Sequence, residues 1–166
     1  MRKKTLTANV IWCIILCMVG SIISSCDRKQ RDSMSLQLMS DDTARKELQQ
    51  AAESINESCP LKADEKTQME GASFTGNKWT YYYTVYEDTL VRFDNEVFNE
   101  GIKASLKEST RKHILATPDM QTMIKALIKV KADLVYQYRG STSGKNIDVV
   151  FTYPELRVIT DVMSKN

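Results

Sequence analysis

One stretch, Lys78 to Tyr86, limits the possible folds more than any other. Trp79, Tyr81, Tyr83 and Val85 alternate there with Thr80, Tyr82, Thr84 and Tyr86. A period of two, filled with aromatic and β-branched residues, is the pattern of a β-strand. Rings in both alternating sets indicate a central strand, with one face buried and the other partly covered. Two uses are open to Trp79, Tyr81 and Tyr83. They are ordinary sheet core, or they form a binding face whose rings offer area and polar rims to a sugar, a peptide or a partner helix.

The neighbouring patterns build around this strand. Gln68 to Phe74 reads as a second strand, joined to it by a turn at Gly76-Asn77. Upstream, Ser40-Asp41-Asp42 supplies a cap and first-turn acids, and Ala44, Leu48, Ala51 and Ile55 recur at helical spacing, so a helix is predicted over 41–57 and ended by Pro60. From Asp94 the period returns to that of a helix through Val97, Phe98, Ile102, Leu106 and Ile114. Thr117-Pro118-Asp119 restarts a third helix running to about Lys129. Asp133–Arg139 and Asn146–Tyr153 alternate again as strands across the loop Gly140–Gly144, with Pro154 closing the hairpin and Leu156, Val158 and Ile159 available to pack back. The expected fold is α+β: a two-layer sandwich in the order α-β-β-α-α-β-β, with two hairpins in one four-stranded antiparallel sheet and helices on one face.

Ahead of this domain, assigned to 41–166, lies a different kind of sequence. Arg2, Lys3 and Lys4 precede an uncharged run from Val10 to Ile23, which gives way to small residues and a cysteine. That is the layout of a secretory leader, over 1–25, and it is short for a membrane span. The ending Ile23-Ser24-Ser25-Cys26 resembles the lipobox of bacterial lipoproteins. The resemblance implies a diacylglycerol on the Cys26 thiol, cleavage before Cys26 and anchoring of the chain in a lipid bilayer. An uncleaved anchor helix and a plain secretory signal are the competing readings. Residues 26–40 then form a lipidated N-terminus and tether, of which Asp27–Ser40 would span about 20 Å if flexible and about 45 Å if drawn straight. Among lipoproteins an acidic run just after the cysteine resembles a surface-export signal. Here Arg28, Lys29 and Arg31 mix with Asp27 and Asp32, so a cell-envelope location facing the periplasm is expected.

Charge and cysteines follow from the same cut. The formal charge of +2 comes from 23 Lys+Arg against 21 Asp+Glu, and three of those cations leave with the leader, so the mature chain is near neutral and offers no basis for nucleic-acid binding. Cys13 and Cys17 also leave and Cys26 carries lipid, which isolates Cys59 as either a small buried hydrophobe or a free or intermolecular thiol.

The chain carries little recognisable chemistry. Its one histidine, His113, sits inside a predicted helix, and no zinc, hydrolase or phosphate-binding motif is present. Glu87-Asp88 is the best exposed carboxylate pair, with solvated turn polarity as the plainer reading. No catalytic residue, metal or cofactor is expected, and the chain is not expected to be an enzyme.

One further motif, Asn56-x-x-Cys59-Pro60-x-x-x-Asp64-x-x-Thr67 followed by the tyrosine-rich strand and by Tyr136-x-Tyr138, resembles small bacterial envelope proteins of the type II secretion pilotin-like group. In structural terms Pro60 ends the first helix, while Asp64 and Thr67 can bond backbone amides and fix the turn into the sheet. Members often pair a cysteine like Cys59 with one near the end of the second helix. Here that position reads Ile114-Leu115-Ala116-Thr117. The resemblance implies a module that binds or helps assemble another envelope protein. The alternative is binding of a glycan or peptidoglycan fragment by Trp79, Tyr81 and Tyr83.

Overall fold

The computed structural model describes residues 40–89, 91–94 and 96–163. The leader, Cys26 and most of the tether lie outside these residues. In chain order the elements are α1 (Asp41–Ser58), β1 (Leu61–Lys62), β2 (Thr67–Thr75), β3 (Lys78–Val85), α2 (Glu96–Ala116), α3 (Pro118–Lys129), β4 (Asp133–Gly140), β5 (Asn146–Phe151) and α4 (Tyr153–Met163).

Local sequence accounts for the helix ends. The Ser40 hydroxyl accepts from Thr43 N at 3.2 Å, Asp41 and Asp42 occupy the first turn of α1, and Ala44, Leu48 and Ala52 bury a stripe one residue in four. Thr117 stands at the start of α3 before Pro118, but its hydroxyl does not cap. It lies 3.4 Å from His113 Nδ1 instead. Pro154 does not close a hairpin as expected. It sits in the first turn of α4, where a missing N–H leaves no bond unmade. Glu155 Oε2 there accepts from Thr152 N at 2.8 Å and from the Thr152 hydroxyl at 3.0 Å. Leu156 and Ile159 pack back as expected, while Val158 points away and is 64% exposed.

Among the described residues the sheet has five strands in the order β1-β2-β3-β4-β5, and this corrects the expected four-stranded antiparallel arrangement. Each expected hairpin is antiparallel, but β3 and β4 meet in parallel, with Lys78 beside Asp133 and Val85 beside Gly140. The cause is the connection between them. Parallel neighbours need a long crossover, and the segment from Val85 to Asp133, with α2 and α3 in it, supplies one. The chain is therefore carried back to the end of the sheet where β3 began, and Asp133 N bonds Asn77 O at 2.9 Å.

Core side chains come from one face of the sheet and from the helices above it. Met69, Ala72, Phe74, Trp79, Tyr81, Tyr83, Leu134, Tyr136, Tyr138, Val149 and Phe151 are all buried, against Leu48, Ile114, Ile124, Leu127 and Leu156. Arg45 of α1 holds the β2–β3 turn by bonding Gly76 O at 2.9 Å and Asn77 Oδ1 at 2.7 Å.

Two polar side chains fix the ends of this layer. Asn56, at the end of α1, behaves as a short piece of strand: its Oδ1 accepts from Ala72 N at 2.8 Å and its Nδ2 donates to Ala72 O at 3.0 Å. The bond lies just past a bulge between Met69 and Gly71, and a Cβ on Gly71 would come within 2.4 Å of Asn56 Oδ1. Glu87 joins two loops. Its Oε1 accepts from Phe93 N at 2.7 Å, and its Oε2 accepts from Thr142 N at 2.8 Å and Ser143 N at 2.6 Å. Gly140 permits the approach, since a Cβ there would meet the Glu87 carboxyl at 2.6 Å. Desolvation raises the Glu87 pKa, but the amides of Ser143, Phe93 and Thr142 outweigh it and bring the group from 4.5 down to about 2.

Asn56→Ala should cost about 1–2 kcal/mol in urea unfolding, because two backbone groups at the sheet edge lose their partner. Gly71→Ala should cost less in the Asn56→Ala background than in the wild type, with a coupling of about 1 kcal/mol; strict additivity would mean that the two residues do not share the contact. For Glu87 the lowered pKa means stabilisation that is complete above pH 4.5 and lost as pH falls towards 2. The stability gap between wild type and Glu87→Gln should therefore close over that interval, and a constant gap would contradict the ionic knot.

Candidate functional site

The two faces of the sheet differ in kind. On the helix side Tyr81 and Tyr83 of β3 lie beside Tyr136 and Tyr138 of β4, in register across the parallel pair. Their rings form a packed tile, tilted at 5.2 Å between centroids for Tyr81–Tyr136 and stacked at 5.1 Å for Tyr83–Tyr138. The Tyr81 hydroxyl donates to Met123 Sδ at 3.1 Å. Burial raises the phenol pKa of all four tyrosines, which stay neutral. Trp79 is 0% exposed, and Tyr81 and Tyr83 are each 5% exposed. Of the two uses open to Trp79, Tyr81 and Tyr83, the structure shows sheet core: the helices cover these rings, which corrects the alternative of a binding face.

The motif around Pro60 closes a turn. Cys59 N donates to Ile55 O at 3.1 Å and to Asn56 O at 3.2 Å, which ends α1 just before Pro60. Asp64 Oδ1 accepts from Lys66 N at 2.7 Å. Thr67 contributes its main-chain carbonyl, which accepts from Ala63 N at 2.9 Å and Asp64 N at 3.2 Å. The Cys59 thiol is free and half-buried, and burial followed by the Glu70 charge raises its pKa. It is therefore a protonated thiol at neutral pH.

Other titratable groups are similarly engaged. His113 is half-buried with Nε2 enclosed and unpartnered, and burial lowers its pKa, which leaves a neutral ring fixed within the helix layer. Asp88 pairs with Lys66 and accepts from Val91 N at 2.9 Å. Glu87 and Asp88 thus serve as loop anchors. Among the described residues no group of three or more His, Cys, Asp or Glu is placed to hold a metal ion, and no helix is long and apolar enough to cross a membrane.

Among the described residues no helix lies over the opposite face. Ser73, Thr84, Gln137 and Val150 lie half-buried on it, Thr80 and Val135 are buried at its centre, and Glu70, Arg139 and Asp148 are exposed towards its margins. Tyr82 is 37% exposed and Tyr86 is 47% exposed. Both rings are held: the Tyr82 hydroxyl bonds Ser73 Oγ at 2.9 Å, and the Tyr86 hydroxyl donates to Gln68 Oε1 at 3.3 Å. Across the last two strands Gln137 Nε2 donates to Asp148 Oδ1 at 3.1 Å. The result is a largely uncharged surface of hydroxyls and amides carrying two pre-positioned rings. This is the candidate functional site, and on β3 it consists of Thr80, Tyr82, Thr84 and Tyr86, the set that alternates with the buried Trp79, Tyr81 and Tyr83.

The two edges of the sheet are also unlike. The outer edge of β2 is met by Ala63 and Asp64 at Thr67, by β1 at Gln68 and Met69, and by Asn56 at Ala72. Among the described residues no further strand pairs with β5. Gly140 N donates to Lys145 O at 2.9 Å, which sets the phase of the β4–β5 ladder. Ile147, Val149 and Phe151 turn their N–H and C=O towards β4, and Asn146, Asp148 and Val150 turn theirs outward.

In fold the chain resembles a Pseudomonas aeruginosa protein described as secreted, at 15% sequence identity and a TM-score of 0.52 over 70% of this chain and 96% of that one. The type II secretion system pilotin AspS from Vibrio cholerae aligns at 13% identity and a TM-score of 0.45, over 75% of this chain and 99% of that one. No curated protein matches the sequence. The family model described as Domain of unknown function (DUF8479) matches residues 42–147, from the first turn of α1 into β5, and the chain belongs to that family.

Proposed function

We propose that the chain is a lipoprotein of the bacterial cell envelope, facing the periplasm, that is held to a membrane by acyl chains on Cys26 and docks another envelope protein through the uncovered face of its sheet, without catalysis and without a metal or cofactor. The observation that carries the reading is the pair of exposed tyrosines pinned to β2, Tyr82 by Ser73 and Tyr86 by Gln68. Rings already fixed before binding lose little entropy on contact, and Tyr and Arg, here joined by Arg139, are the residues that most often dominate protein interfaces.

Other features support the same reading. The lipobox-like Ile23-Ser24-Ser25-Cys26 supplies the anchor. The tether allows the domain a reach of about 45 Å from the bilayer. His113 is neutral and packed, and the carboxylate of Glu87 is filled by backbone amides, so neither is set up for proton transfer. The glycan alternative rested on Trp79, Tyr81 and Tyr83, and their burial removes its platform.

Mass spectrometry of the purified N-terminal peptide should show a diacylglyceryl thioether on Cys26 as the first residue; an unmodified thiol or an attached leader would contradict the anchor. In detergent extracts the double variant Tyr82→Ala/Tyr86→Ala should retain at most about a tenth of any protein that copurifies with the wild type. Full retention would move the docking surface elsewhere.

A further inference from the structure

We propose that the outer edge of β5 is a strand-addition site, where an extended segment of the docked protein pairs with Asn146–Phe151 as a sixth strand and sets a basic residue against Asp148. The proposal rests on the protein-docking reading and names the place and the chemistry of the contact.

The first argument is the asymmetry of the edges. From Thr67 to Ala72 the β2 edge is closed by the chain itself: main-chain N–H groups of Ala63 and Asp64, the two-residue strand β1, and the amide of Asn56 take its outward groups. An unpaired edge is a template for another strand, and proteins usually blunt it with proline, bulges, short length or a covering segment. Among the described residues the β5 edge has none of these. Its six residues Asn-Ile-Asp-Val-Val-Phe pair with β4 without a register shift and contain no proline. The ladder phase directs the N–H and C=O of Asn146, Asp148 and Val150 outward, and among the described residues nothing bonds them.

The second argument selects the occupant. When two β5 edges pair about a two-fold axis, outward residues meet outward residues. The register that engages all three sets Asn146 against Val150 and Asp148 against its own copy, with Cα atoms about 5.5 Å apart. Like charges directly opposite one another are destabilising, and a slip by two residues in either direction leaves one of the three outward residues without an outward counterpart. The edge therefore disfavours a second copy of this chain. A foreign strand is free to place a cation there. Asp148 is exposed, Gln137 is its one hydrogen-bond donor, and no cation is paired with it among the described residues. Two residues along, Val150 is half-buried next to its register partner Val135, which is 4% exposed, so an apolar side chain finds footing there. The complementary segment is extended, with Lys or Arg two residues from an apolar side chain on the same face.

The test is a display library of random nine-residue peptides selected against the full-length protein. Enriched sequences should alternate and should place Lys or Arg two positions from an apolar residue. Val150→Pro removes an outward N–H that β4 does not use, so it should weaken these peptides at least about tenfold while the melting temperature stays close to that of the wild type. Asp148→Lys, which does not depend on tolerance of proline, should turn the preference from basic to acidic residues. Failure to enrich alternating peptides, or binders indifferent to both variants, would overturn the proposal. So would self-association by light scattering that Val150→Pro abolishes, since that would make the occupant a second copy. Copurification of an envelope protein that survives both β5 variants but is lost in Tyr82→Ala/Tyr86→Ala would remove strand addition and leave the docking reading standing.

Discussion

Two neighbouring strands at the centre of this sheet run in the same direction, and the rest of the molecule is arranged around that fact. A hairpin cannot make a parallel pair, so the chain must travel from the end of β3 back to the start of β4 through a long crossover. That crossover is α2 and α3. It lies on the face where Tyr81, Tyr83, Tyr136 and Tyr138 pack together, and it buries them. Because α1 packs on the same side, over β2, none of the helices of the described residues is left for the other face. The open surface with Tyr82 and Tyr86 is a consequence of the parallel seam.

The same economy explains the edges. A short α+β domain has little chain to spare for closing a sheet, and this one closes the β2 side with small pieces: two residues of β1 and one amide from Asn56. The close approach of Asn56 leaves no room for a side chain on Gly71. At the far side the chain turns away into α4 directly after β5, held by Asp133 Oδ1 accepting from Tyr153 N at 2.7 Å. The result is one edge sealed by the protein and one edge with its backbone groups outward, next to the face that carries the exposed rings. Face and edge meet at Asp148 and Val150, which belong to both.

Much of this was legible in the amino-acid pattern. Alternation located four strands to within a residue or two, and Ser40-Asp41-Asp42 and Thr117-Pro118 marked two helix starts. Strand direction was not legible, because side chains alternate identically in parallel and antiparallel pairs. β1 is too short to show a period. α4 was hidden by Pro154, which reads as a terminator until Thr152 and Glu155 are seen bonding across the first turn. Which face of β3 stays open was not legible. Alternation separates Trp79, Tyr81 and Tyr83 from Thr80, Tyr82 and Thr84 without saying which set is covered, although the bulkier set is the one that fills a core. Asn56 lay within the motif around Cys59 and Pro60, but its pairing with Ala72 depends on a contact sixteen residues away that no local pattern encodes.

The central claim is that one edge of the sheet is left open beside an open face. Residue-resolved amide hydrogen exchange of the full chain tests it most directly. The account predicts alternation along β5, with Ile147, Val149 and Phe151 protected by their bonds to β4 and Asn146, Asp148 and Val150 exchanging as exposed amides. Uniform protection of all six would mean that the edge is already covered, and the account would fail at its foundation.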